Sequence, residues 1–216
     1  MIMNHKGSII TLCSAVLIGA LASCSSPKTE EPSGLPASRI CDSAFDSAAS
    51  NVLTRLSKKA RYEELPDKAD WFTPDRAVKS LHKSASERTD CLVYAVGDES
   101  GTPLLDISFE GVNRYPKAED QSGGSSRDQA DFVMGEFATA SEIGATLIFS
   151  CHTSGEEGRF RFIKAGMYST LRSSNGELAR DLMTILNSIS RKVAHAADCA
   201  DSAELPSSPP EPRYRT

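Results

Sequence analysis

The sequence predicts an α+β domain in which helices pack on one face of an antiparallel sheet of about four strands. The central region, residues 40–202, begins and ends with apolar residues at helical spacing, and the segments between them have the patterns of strands. Roughly 160 residues are enough for a single hydrophobic core. Four cysteines lie in this region, and their even number predicts two disulfides that staple the fold: Cys41, Cys91, Cys151 and Cys199.

Three segments have the signatures of helices. Residues 43–59 carry apolar side chains at helical spacing. Thr73 at an N-cap position and Pro74 at the first helical position predict a shorter second helix. The third begins with a capping box, in which Ser174 is followed three residues later by Glu177. Its apolar stripe is the longest of the three: Leu178, Leu182, Ile185, Leu186, Ile189 and Val193.

The strands are predicted as two hairpins that follow one another in an up-and-down meander. Residues 92–96 are apolar on both faces, whereas residues 105–110 alternate between apolar and polar. Residues 143–151 and 159–164 form the second hairpin around a glycine-containing turn. The polar segment 112–131 is longer than ordinary connections, and we expect it to be disordered rather than functional.

The first residues have the marks of a removable signal: a short start with a single lysine, an apolar stretch, and small residues after it. The apolar stretch has about 14 residues, whereas a membrane-spanning helix needs roughly 20. Residues 21–24 read Leu-Ala-Ser-Cys and resemble a bacterial lipobox. A plain secretory signal that is cut elsewhere is the alternative.

The lipobox resemblance implies an address and an anchor. Residues 1–23 would be a lipoprotein signal peptide, and Cys24 would receive a diacylglycerol and become the first residue of the mature chain. Two or three acyl chains hold a protein stably on a membrane. We therefore expect a lipid-anchored protein on the extracytoplasmic face of the bacterial cell membrane.

The two ends of the mature chain are predicted to be unstructured. Residues 24–39 contain too few apolar side chains to offset the entropy of ordering and are expected to form a flexible tether. Residues 203–216 are rich in proline and serine and are expected to be a disordered tail. The folded part is then a single domain, residues 40–202.

The spacing of the cysteines favours one disulfide pairing. In a meander, the strand that begins at Cys91 and the strand that ends at Cys151 run in the same direction, so these cysteines lie at opposite ends of the sheet, beyond disulfide reach. Pairing Cys41 with Cys91 and Cys151 with Cys199 joins neighbours along the chain, and we favour it. The pairing of Cys41 with Cys151 and Cys91 with Cys199 stays open.

Charge and cysteine spacing argue against several partners and cofactors. The formal net charge of −5 becomes −6 after removal of the signal, because Lys6 is its only charged residue. The chain has no basic stripe, so nucleic acid and anionic lipid surfaces are not expected partners. The four cysteines of the domain form no Cys-x-x-Cys pair, which argues against a zinc ribbon and a thioredoxin-like site. We expect no cofactor.

Catalytic signatures are sparse. Ser80 and Lys83 match the Ser-x-x-Lys pattern of penicillin-interacting enzymes, but the partner motifs Ser-Asp-Asn and Lys-Thr-Gly are absent, and such a pair is common on exposed helices. We therefore assign no catalytic residue. Trp71 and Phe72 precede the second helix and are expected to be core rather than a ligand platform.

Two histidines would converge if Cys151 bonds Cys199. His152 is adjacent to the first cysteine, and His195 is one helical turn before the second. Asp198 or Asp201 could add an oxygen ligand, but we expect solvated surface histidines rather than a metal site.

The order of the elements and the placement of the cysteines over residues 40–199 resemble small uncharacterised lipoproteins of actinobacteria. The resemblance implies no reaction and no ligand. We expect a non-enzymatic module that binds an envelope protein or a small ligand. The alternatives are a carrier with a pocket lined by Phe and Leu between helices and sheet, and a hydrolase that uses Ser80 and Lys83.

Overall fold

The computed structural model of the chain describes residues 33–64, 71–116, 129–155, 158–173 and 177–214. The predicted signal peptide and Cys24 lie outside these residues, and so do residues 117–128 of the long polar segment. Residues 33–214 belong to one compact unit.

The described residues form five helical elements, two short 3₁₀ turns and eight strands. The first helical element is a single turn in which Cys41, Asp42 and Ser43 have positive φ angles. The helices are α1 (Ile40–Ser43), α2 (Ser47–Ser57), α3 (Pro74–Ser80), α4 (Leu178–Ala196) and α5 (Ala200–Ala203), and the 3₁₀ turns are Ala37–Arg39 and Ala85–Glu87. The strands are β1 (Tyr62–Glu64), β2 (Cys91–Ala95), β3 (Leu105–Val112), β4 (Ala130–Asp131), β5 (Phe137–Ser141), β6 (Gly144–Gly155), β7 (Gly158–Ser169) and β8 (Arg213–Tyr214). No helix among the described residues is long and apolar enough to cross a membrane.

The α+β class is confirmed, but the prediction of about four strands is wrong. All eight strands belong to one antiparallel sheet with the order β1-β2-β3-β7-β6-β5-β4-β8. Three of the additional strands, β1, β4 and β8, have only two or three residues, too few for an alternating pattern to be recognised. Strand β5 buries Ala138 and Ala140, and alanine is uncommon in strands.

The strand order also corrects the predicted meander. Strand β7 lies between β3 and β6, so β2 and β6 run in opposite directions. Cys91 is in register with Ala145 through Ile107 and Met167, and Cys151 is six residues further along β6. These cysteines are therefore separated by three strand spacings, about 14 Å, and by about 20 Å along the strands. A disulfide between Cys91 and Cys151 is therefore excluded, as predicted. The reason is the register of the strands and not their direction.

The favoured disulfide pairing is confirmed. Cys41 bonds Cys91 with a Cα–Cα distance of 5.8 Å, and Cys151 bonds Cys199 with a Cα–Cα distance of 5.4 Å. The first disulfide ties α1 to β2, and the second ties Cys199, the N-cap residue of α5, to β6.

The helices begin where side chains cap them. The structure starts α2 at Ser47 rather than at residue 43, because the Asp46 carboxylate accepts a hydrogen bond from the Ala49 N–H. Thr73 caps α3 by accepting from the Arg76 N–H, and Pro74 follows at the first position, as predicted. Helix α4 begins at Leu178 with Glu177 at the N-cap position, and Ser174 of the predicted capping box lies outside the described residues.

Helix α4 forms the centre of the core. The apolar stripe predicted for this helix is buried, and α4 packs against β5, β6, β7 and the two helices α2 and α3. Strand residues that alternate along β3, β6 and β7 meet the helices from the other side. The core side chains of these strands are Leu105, Ile107, Phe109, Leu147, Phe149, Ile163 and Ala165.

Both ends predicted to be unstructured contribute to the fold. The backbone of Leu35 exchanges two hydrogen bonds with Tyr62 of β1, at 2.8 and 2.9 Å, and Ala37 is buried. At the other end, Asn187 Nδ2 of α4 donates to the Pro206 carbonyl at 2.8 Å, and β8 pairs with β4. Hydrogen bonds to neighbouring strands and to α4 order the described parts of these segments, residues 33–39 and 203–214, an effect that composition does not reveal.

The disulfides give a first prediction. Replacing both Cys151 and Cys199 by alanine opens a loop with a sequence separation of 48, which the chain-entropy model values at about 4 kcal/mol. For a chain of this length, the melting temperature should fall by about 8–16 °C. The variant Cys41→Ala/Cys91→Ala, with a sequence separation of 50, should behave similarly. Unchanged melting temperatures, or four free thiols by peptide mapping, would contradict the pairing.

Candidate functional site

The helices pack on one face of the sheet. On the second face some side chains, such as Lys164 and Tyr168, are partly exposed, whereas Phe162 and Ile148 are buried. We call this second face the open face. Along β7 it carries Phe162, Lys164, Gly166 and Tyr168, which alternate with buried residues that point to the helices.

A trough crosses the open face at the hairpin of β5 and β6. Gly166, Thr146 and Thr139 are aligned across β7, β6 and β5 and form its floor, because their side chains are short or absent. Lys164 and Tyr168 are two residues to either side of Gly166, so they stand about 13 Å apart at opposite walls. The trough has a volume of about 720 Å³. Its lining consists of Gln129, residues 139–146, Lys164 and residues 166–168.

Two large apolar side chains are exposed at one wall of the trough. Tyr168 is 49% exposed and Ile143 is 59% exposed. The Ser169 N–H donates to the Ile143 carbonyl at 2.9 Å, which holds the β5–β6 turn against the end of β7. The wall is therefore formed by side chains on an anchored backbone.

The opposite wall is held by ion pairs. Glu110 of β3 lies 2.8 Å from Lys164 Nζ and 2.7 Å from Arg88 Nη1. Burial on its own would raise the pKa of Glu110, but the hydrogen bonds and charges of Lys164 and Arg88 outweigh it, so the pKa lies below its ordinary value of 4.5. The Glu110 carboxylate therefore fixes the position of the Lys164 side chain.

An aromatic contact lies beside the ion pairs on the open face, because Phe162 is two residues from Lys164 on β7. The Tyr115 ring meets Phe162 edge-on, with 5.1 Å between centroids, and its hydroxyl donates to Glu136 Oε2 at 3.0 Å. Arg161 lies 5.5 Å from the centroid of the same Phe162 ring. The hydrogen bond to Glu136 and its negative charge raise the pKa of Tyr115.

The Ser-x-x-Lys pair has no catalytic geometry in the structure. Ser80 is only 3% exposed, and its hydroxyl donates to the Ala77 carbonyl at 3.0 Å and accepts from the Thr89 N–H at 3.4 Å. Lys83 is exposed beyond the end of α3, and its backbone N–H bonds the Ser80 carbonyl. Both bonds of the Ser80 hydroxyl are structural.

In the part of the chain that the structure describes, no third ligand joins the two histidines in a metal site. His152 and His195 are both exposed, and within the described ranges no group of three or more His, Cys, Asp or Glu side chains could hold a metal ion. His195 lines a separate cleft beside α4, of which His152 is not part.

Trp71 and Phe72 lie in different environments, Phe72 in the core and Trp71 at the surface. Phe72 is buried in the core and lies 6.1 Å from the Phe109 ring between centroids. Trp71 is 51% exposed, so the expectation of a core position holds for Phe72 but not for Trp71.

The trough was not predicted from the sequence. The predicted strand ended at Lys164, because Ala165 and Gly166 interrupt the apolar pattern and are uncommon in strands. The alternation of Phe162, Lys164, Gly166 and Tyr168 is a signal that could have extended the strand, but the sequence does not show that β5 and β6 continue the same surface.

In comparisons with known proteins, the chain matches no family model, no curated protein and no solved structure.

The ion pairs at Glu110 give a second prediction. A carboxyl whose pKa is lower in the folded state adds stability that is present above its unfolded pKa and is lost as the pH falls through the folded pKa. Glu110→Gln should therefore cost about 1 kcal/mol of unfolding free energy at pH 7, and the difference from the parent protein should shrink as the pH falls below the ordinary pKa of 4.5 and through the lower pKa of the folded state. Chemical denaturation across this range measures it.

Glu142→Gln is the matched control, because Glu142 is an exposed acid of the same trough, and its replacement should change the unfolding free energy little at either pH. A cost for Glu110→Gln that stays the same as the pH falls from 7 into the acid range would mean that the ion pairs do not stabilise the fold.

Proposed function

We propose that this protein is a lipid-anchored extracytoplasmic binding module that docks a partner protein of the cell envelope in the trough of the open face. The observation that carries the proposal is the pair of exposed apolar side chains, Tyr168 and Ile143, at one wall of a trough about 720 Å³ in volume. Contiguous exposed apolar side chains with a polar rim are typical of interaction sites, and tyrosine is common among residues that dominate binding energy.

The charge of the trough favours apolar contacts and hydrogen bonds over electrostatic attraction. Its lining contains one cation, Lys164, and one anion, Glu142, within a chain whose formal net charge is −5. Lys164 is already paired with Glu110. A partner would place an apolar side chain beside Tyr168 and bond the Thr146 hydroxyl. The Thr139 hydroxyl is already used within the protein, because it accepts from Gln129 Nε2 at 2.6 Å and donates to the Ala130 carbonyl at 3.2 Å.

The alternatives receive less support. The buried, doubly bonded hydroxyl of Ser80 does not favour a hydrolase. The apolar side chains between α4 and the sheet form one continuous buried cluster, and the described pockets are at the surface, which does not favour a carrier of an apolar ligand.

The anchor gives a third prediction. Cys24→Ser removes the thiol that would carry the lipid, so the protein should leave the membrane fraction or accumulate as an unprocessed precursor. Cys13→Ser is the matched control, because Cys13 lies inside the apolar stretch and should not affect anchoring. Membrane retention of a correctly processed Cys24→Ser protein would contradict lipid anchoring.

The docking site gives a fourth prediction. A photo-crosslinking phenylalanine analogue at position 168, in the intact lipoprotein in its own membrane, should form one defined protein adduct. The same analogue at position 214 should not, although Tyr168 and Tyr214 are equally exposed, at 49% each. Ile143→Lys, at the same wall of the trough, should abolish the adduct. With the purified partner, Tyr168→Ser should weaken binding about tenfold or more, and Tyr214→Ser should not.

Identical adducts at positions 168 and 214 would mean that the contact is not specific to the trough. If the adduct at position 168 contains only a small molecule, the trough binds a small ligand and not a protein.

A further inference from the structure

A second concave surface lies on the helix side of the domain, away from the trough. Helix α4 presents Ser188, Arg191, Lys192 and His195 on one face, at the spacing of successive turns. The segment after the helix folds back and contributes the other wall through Ala200, Ala203 and Leu205. Asp46 and Ala194 complete the lining. The volume of this cleft is about 420 Å³.

The cleft wall that faces α4 is fixed at three points. Cys199 is bonded to Cys151 of β6, the Ser202 hydroxyl donates to the Ser150 carbonyl at 3.3 Å, and Asn187 donates to the Pro206 carbonyl at 2.8 Å. The solvent-exposed face of a helix is convex when no other segment packs beside it. Here the anchored segment turns the polar face of α4 into one wall of a preformed concavity.

The cleft concentrates cations in an acidic chain. Arg191 and Lys192 are its permanent cations, and Asp46 is its one carboxylate. The Asp46 carboxylate is held in place by the hydrogen bond from the Ala49 N–H at 3.0 Å, and the Asp46 N–H donates to Ser188 Oγ at 2.8 Å. Asp201 and Glu204 lie on the opposite segment but are exposed and are not part of the lining.

Arg191 keeps donors for a ligand. Its Nη1 atom is 3.6 Å from Asp46 Oδ2, which is an ion pair but is longer than a good hydrogen bond. The carboxylate orients the guanidinium without occupying its donors. A planar guanidinium with free N–H groups binds carboxylate or phosphate oxygens in a two-point geometry.

We propose that the cleft beside α4 is a binding site for a small soluble compound that carries a phosphate or carboxylate group. Arg191 forms the two-point contact, Lys192 adds a second positive charge, and His195 donates from the next turn. The apolar wall of Ala200, Ala203 and Leu205 accommodates a short carbon skeleton. The site shares no residue with the trough and does not depend on the docking proposed there.

The test titrates the purified domain with inorganic phosphate and with citrate, following amide chemical shifts, against sodium chloride at matched ionic strength. One or both anions should shift the resonances of residues 188–205 in a saturable manner, whereas chloride should not. Arg191→Gln should weaken binding about tenfold, because it removes a charge-assisted contact.

Two matched variants separate a site from general surface charge. Arg180→Gln removes an arginine of similar exposure from the same helix, where it pairs with Glu211 at 3.0 Å, and should leave binding unchanged. Ala200→Leu keeps every charge but fills part of the cleft at an exposed position, and should also weaken binding.

Equal effects of phosphate, citrate and chloride would overturn the proposal, and so would equal losses in Arg191→Gln and Arg180→Gln. Vesicles that contain phosphatidylglycerol distinguish a lipid headgroup from a soluble ligand. If the protein binds the vesicles in an Arg191-dependent manner and binds neither soluble anion, the ligand of the cleft is a lipid headgroup and not a soluble compound.

Discussion

Burial of helix α4 against the sheet is the interaction on which the rest of the domain depends. The helix covers β5, β6 and β7, the central and one lateral part of the sheet, and also contacts α2 and α3. Three of its buried polar residues bond other segments, and loss of such a partner would leave a buried polar group unpaired, at a cost of about 1–3 kcal/mol. Ser188 bonds the connection before α2, Asn187 bonds Pro206, and Asp181 pairs with Arg55 at 2.6 Å.

Because the helices occupy one face of the sheet, the two candidate surfaces lie in different environments. The trough is formed by strand side chains alone, and its depth comes from short residues between taller neighbours on the same strand. The cleft is formed by a helix and a folded-back segment, and its walls are held by a disulfide. A partner in the trough would not cover the lining of the cleft, so both could be occupied together.

Local chemistry explains which predictions were confirmed. The N-cap at Thr73 and the apolar stripe of α4 depend on neighbouring residues or on one helical period, and the structure has both. The pairing of Cys41 with Cys91 was favoured because it joins neighbours along the chain, and it is correct. Register, and not strand direction, separates Cys91 from Cys151, because β7 is inserted between β3 and β6, and no local sequence pattern shows that insertion.

The sequence by itself determined the α+β class, the main helices, the longer strands and the cysteines that pair, because each of these follows from periodicity, capping or composition over a few residues. Only the tertiary structure decided the strand order, the short strands β1, β4 and β8, and the ordering of the segments around Leu35 and Pro206. It also brought Tyr168 beside Ile143 and Arg191 beside Asp46. These contacts join residues far apart in the chain, and their positions depend on register and packing, which local sequence does not specify.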